Sequence, residues 1–229
     1  MPASPQPLGT HGTVPGIQAS AWLAWVSLSF VCAYWASNHL TSLRSGIGGG
    51  VFGWERGIPF VAWTIVPYLS ILLFFSWSFF VRRERDELVR HASCLLLALL
   101  LSIVCYAVCP LRFMFERPAV DGFLGLLFDA LGSFDLPYNR APSLHISVLV
   151  ILWKRLAPAL RDPARLALQA WFTLIGVSVL TTYQHHVIDV AAGLLMGALC
   201  IVLTAKRRAT SAGTGARSCG SPQAARHGP

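Results

Sequence analysis

Charge-free apolar runs recur along the chain and are separated by short polar stretches. Six stand out: about Ser20 to Ser37, Ile58 to Val81, Ala92 to Cys109, Ser143 to at least Trp153, Leu166 to Thr182, and Val187 to Ala205. A bilayer core is crossed by roughly 20 apolar residues of helix, so each run is a candidate span. Pro59 and Pro67 predict a kink in the second. The fourth is short, so Lys154 and Arg155 are expected to snorkel from its end. From Val120 to Phe134, apolar residues fall at helical spacing around Asp121 and Asp129. That pattern predicts an amphipathic helix on the membrane surface or, equally, a re-entrant packing segment. The predicted fold is therefore all-α: a polytopic bundle of six transmembrane helices over residues 19–208, with a surface helix in its third connection. The flanks, 1–18 and the basic tail 209–229, are rich in Ser, Gly, Ala and Pro and are expected to be disordered.

Composition agrees with a lipid solvent. Hydrophobic residues make up 55% and charged residues 12%, with a mean hydropathy of +0.58. A soluble globule carries about 25% charged residues. A net charge of +8 would suit nucleic acid, but what argues against that partner is that the basic residues sit in short clusters between apolar runs. These are Arg82, Arg83, Arg85 and Arg90; Lys154, Arg155, Arg161 and Arg165; and Lys206, Arg207 and Arg208. With six spans all three clusters fall on one side, which the positive-inside rule makes cytoplasmic. Both termini are then inside, and the first, third and fifth connections are outside. The expectation is a multi-pass protein of a bacterial inner membrane, with anything functional in those connections on the periplasmic side. The first residues lack Lys and Arg, so the first run is expected to stay as an anchor, not a cleaved signal. The six cysteines form no CxxC pair and suggest neither a disulfide framework nor a zinc site.

Three stretches carry candidate chemistry: Arg112 to Pro118, Pro142 to His145, and Thr181 to Asp189. The topology puts all three outside, near helix ends. On a helix, His185 and Asp189 share a face, so the carboxylate can orient the imidazole and stabilise its protonated form. The structural alternative is a hydrogen bond that closes the helix start. His186 competes for the same role and is the alternative nucleophile. Pro142 suits a first helical turn, Ser143 offers a hydroxyl, and His145 can protonate a leaving alkoxide. The alternative there is an ordinary proline start with an incidental histidine. Arg117 can grip phosphate through two parallel hydrogen bonds, as can Arg112 or Arg140; the alternative is anchoring beside lipid headgroups.

Taken together, and in this order, Arg117-Pro118, Pro142-Ser143-Leu144-His145 and His185-x-x-x-Asp189 resemble the signature of the type 2 phosphatidic acid phosphatase superfamily. The resemblance covers about residues 90–205. The Pro-Ser-Leu-His and Thr-Thr-Tyr-x-His-His-x-x-Asp forms are most similar to the inositol phosphorylceramide synthase branch. They are also similar to the membrane module of bacterial proteins that fuse it to a dual-specificity phosphatase, although no Cys-x5-Arg loop occurs here. The resemblance implies a six-helix bundle and phosphoryl transfer without a metal or other cofactor. It makes His185 the nucleophile that forms a phosphohistidine, His145 the acid, Asp189 the orienting group, and Arg117 and Ser143 phosphate ligands. Two positions depart from the pattern. Pro110 stands where the first motif opens with lysine, and Val179 follows Ser178 where the last motif has Ser-Arg. Arg112 or Arg140 is the candidate replacement for that arginine.

The leading expectation is a phosphatase acting on a lipid phosphate monoester or diphosphate. The first alternative is transfer of a phospho-headgroup to an alcohol. The second is a non-catalytic membrane protein or transporter, in which these histidines are structural or bind haem or, with Asp189, a divalent ion. The partners expected are the lipid substrate and membrane lipids; oligomeric state is not readable.

Overall fold

The computed structural model describes residues 13–49, 51–136 and 138–205. Seven α-helices are present among them: α1 (Gly16–Ser42), α2 (Ile65–Ser78), α3 (Arg85–Val108), α4 (Gly122–Phe134), α5 (Leu144–Leu156), α6 (Asp162–Thr181) and α7 (Val187–Thr204). No sheet forms among the described residues. The fold is an all-α bundle. Four helices, α1, α3, α6 and α7, are long and apolar enough to cross a membrane. They fit a membrane-associated, multi-pass protein.

Local chemistry sets the helix ends. Pro67 sits in the first turn of α2, where a missing N–H costs nothing, so the expected kink is absent and the run from Ile58 instead opens as extended chain and 3-10 turns. Ser143 is the N-cap of α5, its Oγ accepting from the Ile146 N–H at 3.4 Å. Pro142 therefore lies one residue outside the helix, not in its first turn. A proline in the first turn of α6, Pro163, marks that start as well. α1 begins at Gly16, inside the flank expected to be disordered; the Val14 N–H donates to the Arg83 carbonyl at 2.6 Å. Residues 1–12, the tail 209–229 and the basic cluster Lys206 to Arg208 lie outside the described residues.

The most extensive helix pair is α5 with α7, and α3 packs on both. Apolar burial alone cannot drive such pairing in lipid, where close backbone approach matters more. Gly193 and Gly197, one turn apart on α7, supply it. A Cβ on Gly193 would stand 2.6 Å from the Ser143 carbonyl oxygen, and one on Gly197 2.8 Å from that of Ser147. The seam is bonded as well: Ser147 Oγ donates to the Gly193 carbonyl at 3.0 Å. α1 packs on α3 and meets α2 through the edge-to-face pair Phe30 and Phe75. The opening between α1 and α2 leads to the site described next.

Candidate active site

The α5–α7 seam brings two of the three motif stretches together. The Ser143 N–H donates to the Asp189 carbonyl at 3.0 Å, tying the two helix starts directly. Asp189 is in the first turn of α7, and its Oδ2 accepts from the His186 N–H at 2.8 Å. That is the helix-closing bond. The same oxygen lies 3.6 Å from His185 Nδ1. His185 precedes the helix, so the pair meets across a cap and not along a helical face. The helix-closing bond, the structural alternative for Asp189, is therefore present, whereas its contact with His185 is longer than a hydrogen bond.

His185 is aimed by the way α6 ends. The N–H groups of Tyr183 and Gln184 return to the carbonyls of Leu180 and Val179 at 3.1 Å each, a Schellman closure. That closure needs a left-handed residue where glycine is usual. Tyr183 supplies it, at φ 54°. The strain is about 1 kcal/mol or more, and the Tyr183 hydroxyl helps hold the turn by donating to the Ile58 carbonyl at 2.9 Å.

His186 faces the other way and is fully engaged. Its Nε2 accepts from the Met114 N–H at 3.2 Å, so its proton sits on Nδ1 and goes to Glu55 Oε2 at 2.9 Å. The Glu55 carboxylate also accepts from the N–H groups of Val187 and Phe52. The His186 ring stacks on Phe113 at 4.4 Å. Among the described residues, no group of three His, Cys, Asp or Glu side chains is arranged to hold a metal ion.

His145 and His185 line one cavity of about 510 Å³. At one end, the Tyr34 hydroxyl donates to Asp135 Oδ1 at 2.6 Å, and Tyr68 stacks on His145 at 4.2 Å. The Tyr106 hydroxyl donates to the Pro142 carbonyl at 2.7 Å. The rest of the wall is apolar and follows α2 from Tyr68 to Ser76, about 12 Å of helix. Five buried side-chain nitrogens have no protein partner: His145 Nε2 and His185 Nδ1, on residues that line the cavity, and Arg117 Nε, Arg140 Nε and Gln184 Nε2, on residues outside its lining. Buried donors are ordinarily satisfied, so the cluster is exceptional. The cavity thus joins two imidazoles and the Asp135 carboxylate to a mostly apolar wall.

The arginines differ. Arg140 is buried: Nη1 donates to Asp135 Oδ2 at 3.2 Å and to the Gln184 carbonyl at 3.0 Å, and Nη2 to the Leu136 carbonyl at 2.8 Å. Burial works against its charge, but Asp135 and Tyr34 more than offset that, so its pKa lies above the usual arginine value. Arg117 is half-buried, with its guanidinium 5.0 Å over the Phe128 ring. Burial lowers its pKa, and the nearby charge of Arg140 lowers it further. None of the three arginines lines the cavity itself; Arg112 is the exposed one, and its backbone N–H donates to the Gly48 carbonyl.

No protein-family model, curated protein or solved structure matches this chain.

Several site residues fall outside the motifs. Glu55 and Tyr68 touch the motif residues His186 and His145, and Asp135 pairs with Arg140. Glu55 was detectable as a lone acid between apolar runs. Asp135 was hidden by Asp121 and Asp129, the more regularly spaced acids, which are exposed. Gly193 and Gly197 spell a GxxxG pattern that was legible.

Proposed function

We propose that this protein cleaves a lipid phosphate ester through a phosphohistidine on His185. One observation carries the reading: His145 and His185, forty residues apart in sequence, line a single apolar-walled cavity. His145 Nε2 is buried with no protein partner, and so is His185 Nδ1, which lies 3.6 Å from Asp189 Oδ2. A lipid phosphate fits that chemistry, with its headgroup at the donors and its tail along α2. His185 attacks phosphorus through Nε2, and the P–O bond to the lipid breaks. His145 gives its proton to the leaving oxygen. Asp189 stabilises the charged His185 ring, its 3.6 Å contact tightening as charge develops. Arg117, Arg140 through Nε, and the Ser143 hydroxyl neutralise the phosphoryl oxygens. Water then attacks phosphorus, returns a proton to His145, and releases phosphate from His185. His186 is excluded as the attacking group in this reading, since both its ring nitrogens are bonded.

The bundle is read as six spans: α1, α2, α3, α5, α6 and α7. α4 lies at the outer surface over the site, and both termini are cytoplasmic. The arginines and histidines of the site then face the periplasm. One feature favours transfer to an alcohol as the second half-reaction. Asp135 lines the cavity and accepts from a hydroxyl, that of Tyr34. A carboxylate there suits an alcohol acceptor better than a second anion.

The test is to trap a labelled phosphoenzyme from a phosphatidic acid in detergent. Wild type should label and His185→Ala should not, while His145→Ala should label slowly. Label that persists in His185→Ala would end this assignment. Discharge of the label by water alone, against discharge only with an added alcohol, separates hydrolysis from transfer.

A further inference from the structure

An acid buried in an apolar wall must be able to hold its charge, and His145 is poorly placed for that by its own helix. It is the second residue of α5, so the positive end of the helix dipole opposes an imidazolium there. The nearby cations oppose it too: Arg140 and Arg117 both lie within the electrostatic reach of Tyr68, the residue stacked on His145. On the other side are Asp189, bonded to the Ser143 N–H at the same helix start, and Asp135, whose carboxylate is committed to Arg140, Tyr34 and Asn38. Tyr106, from α3, donates to the Pro142 carbonyl and is also committed. Neither carboxylate bonds the His145 ring. The ring does have a face contact: Tyr68 of α2 stacks on it with centroids 4.2 Å apart and planes 19° apart. An aromatic face stabilises a cation lying over it through its quadrupole.

We infer that Tyr68 is a positioning residue whose ring face holds His145 in place and in its proton-donating form. This rests on the proposed phosphoryl transfer. It adds a residue from α2, outside all three motif stretches, and predicts that the ring matters while its hydroxyl does not.

The experiment compares Tyr68→Phe and Tyr68→Leu with wild type in detergent, over a pH series, with two substrates. One is a short-chain phosphatidic acid, whose alkoxide must be protonated to leave. The other is p-nitrophenyl phosphate, whose leaving group needs no proton. On the lipid, Tyr68→Leu should move the alkaline limb of the kcat profile down by roughly half to one pH unit. Its kcat at neutral pH should fall roughly tenfold, whereas p-nitrophenyl phosphate turnover should change less than about twofold. Tyr68→Phe should keep the wild-type limb. A leucine variant with an unmoved limb, or equal losses on both substrates, would overturn the inference, the second because it marks general structural damage. A phenylalanine variant shifted as far as leucine would overturn it by putting the effect on the hydroxyl. Wild type that labels no histidine and turns over neither substrate would sink the parent reading, and this one with it.

Discussion

The two ends of α5 both bury an arginine beside a histidine, yet they behave in opposite ways. Arg155 and His145 are ten residues apart on that helix, about 15 Å. At the Arg155 end every donor has a partner. Nε donates to the Ser78 carbonyl, Nη1 to Glu87 at 3.0 Å, and Nη2 to the carbonyls of Val81 and Arg82. His91 meets Ser78 Oγ at 2.8 Å. At the His145 end, nitrogens of two histidines and two arginines are left without protein partners. The residue types are alike, so type alone does not mark a site. What separates a structural lock from a reactive pocket is whether the bonding is complete. Unsatisfied donors cost stability, and they persist where a ligand repays the cost.

The largest expected effect follows from that contrast. His185→Ala should lower turnover by roughly a thousandfold or more, the usual loss when a covalent nucleophile is removed. Its thermal midpoint in detergent should stay close to wild type, because the side chain makes no hydrogen bond to lose. A midpoint that collapses with the activity would put His185 in the same class as Arg155.

Gly193→Val should come next. Its side chain would press on the Ser143 carbonyl and push α7 from α5, separating Asp189 and His185 from His145. A displacement of about 1 Å costs roughly a hundredfold in rate. Gly176 has only Leu149 Cδ2 near its Cβ position, at 3.8 Å, so Gly176→Ala is the matched control and should lose little. Equal losses in both would mean the seam does not set the site.

Arg155→Ala reverses the pattern. It strands the buried Ser78 carbonyl and the partly buried ones of Val81 and Arg82, and breaks the bond to Glu87, so a stability loss of about 2 kcal/mol is expected, read as a lower unfolding midpoint. Protein that remains folded should keep near-normal kcat. A selective loss of kcat with an unchanged midpoint would show that the two ends are coupled.

The contrast also explains what the sequence could and could not give. Apolar runs fix where helices lie, because lipid demands uninterrupted hydrocarbon and internally bonded backbone. The long helices α6 and α7 accordingly match their runs to within a turn or so, α3 starts at Arg85, seven residues before its run, and the helix expected from Val120 to Phe134 appears as α4. Ends depend on caps, which run length ignores. That is why α2 starts seven residues after Ile58 and α1 starts at Gly16. In the site, His145, His185, Asp189 and Ser143 were legible because their spacing is local, within one turn or one cap. Tyr68 was not, because it reaches His145 across the fold; Asp135 joins Tyr34 from about a hundred residues away, and Glu55 stood out as a lone acid while its partner His186 did not. The choice between His185 and His186 was equally hidden. It turns on Glu55, some 130 residues away, and on a backbone N–H at Met114.

The smallest effect separates the two arginines considered as replacements for the one missing at Val179. Arg112 is exposed and outside the cavity, whereas Arg140 is buried beside it with Nε unspent. Arg112→Ala should therefore change kcat/KM by less than about twofold, the scale of an exposed charge screened by solvent. Arg140→Ala is a poor comparison, since it also strands Asp135 and the Gln184 and Leu136 carbonyls. Arg140→Lys keeps the charge but loses the fork and the Nε donor. If Arg140 holds the phosphate through Nε, the lysine variant should lose roughly tenfold in kcat/KM on a lipid phosphate while keeping most of its thermal midpoint. Should Arg112→Ala cost more than Arg140→Lys, the anion site lies at the exposed rim, and the reactive end would have to be redrawn around the first and third connections.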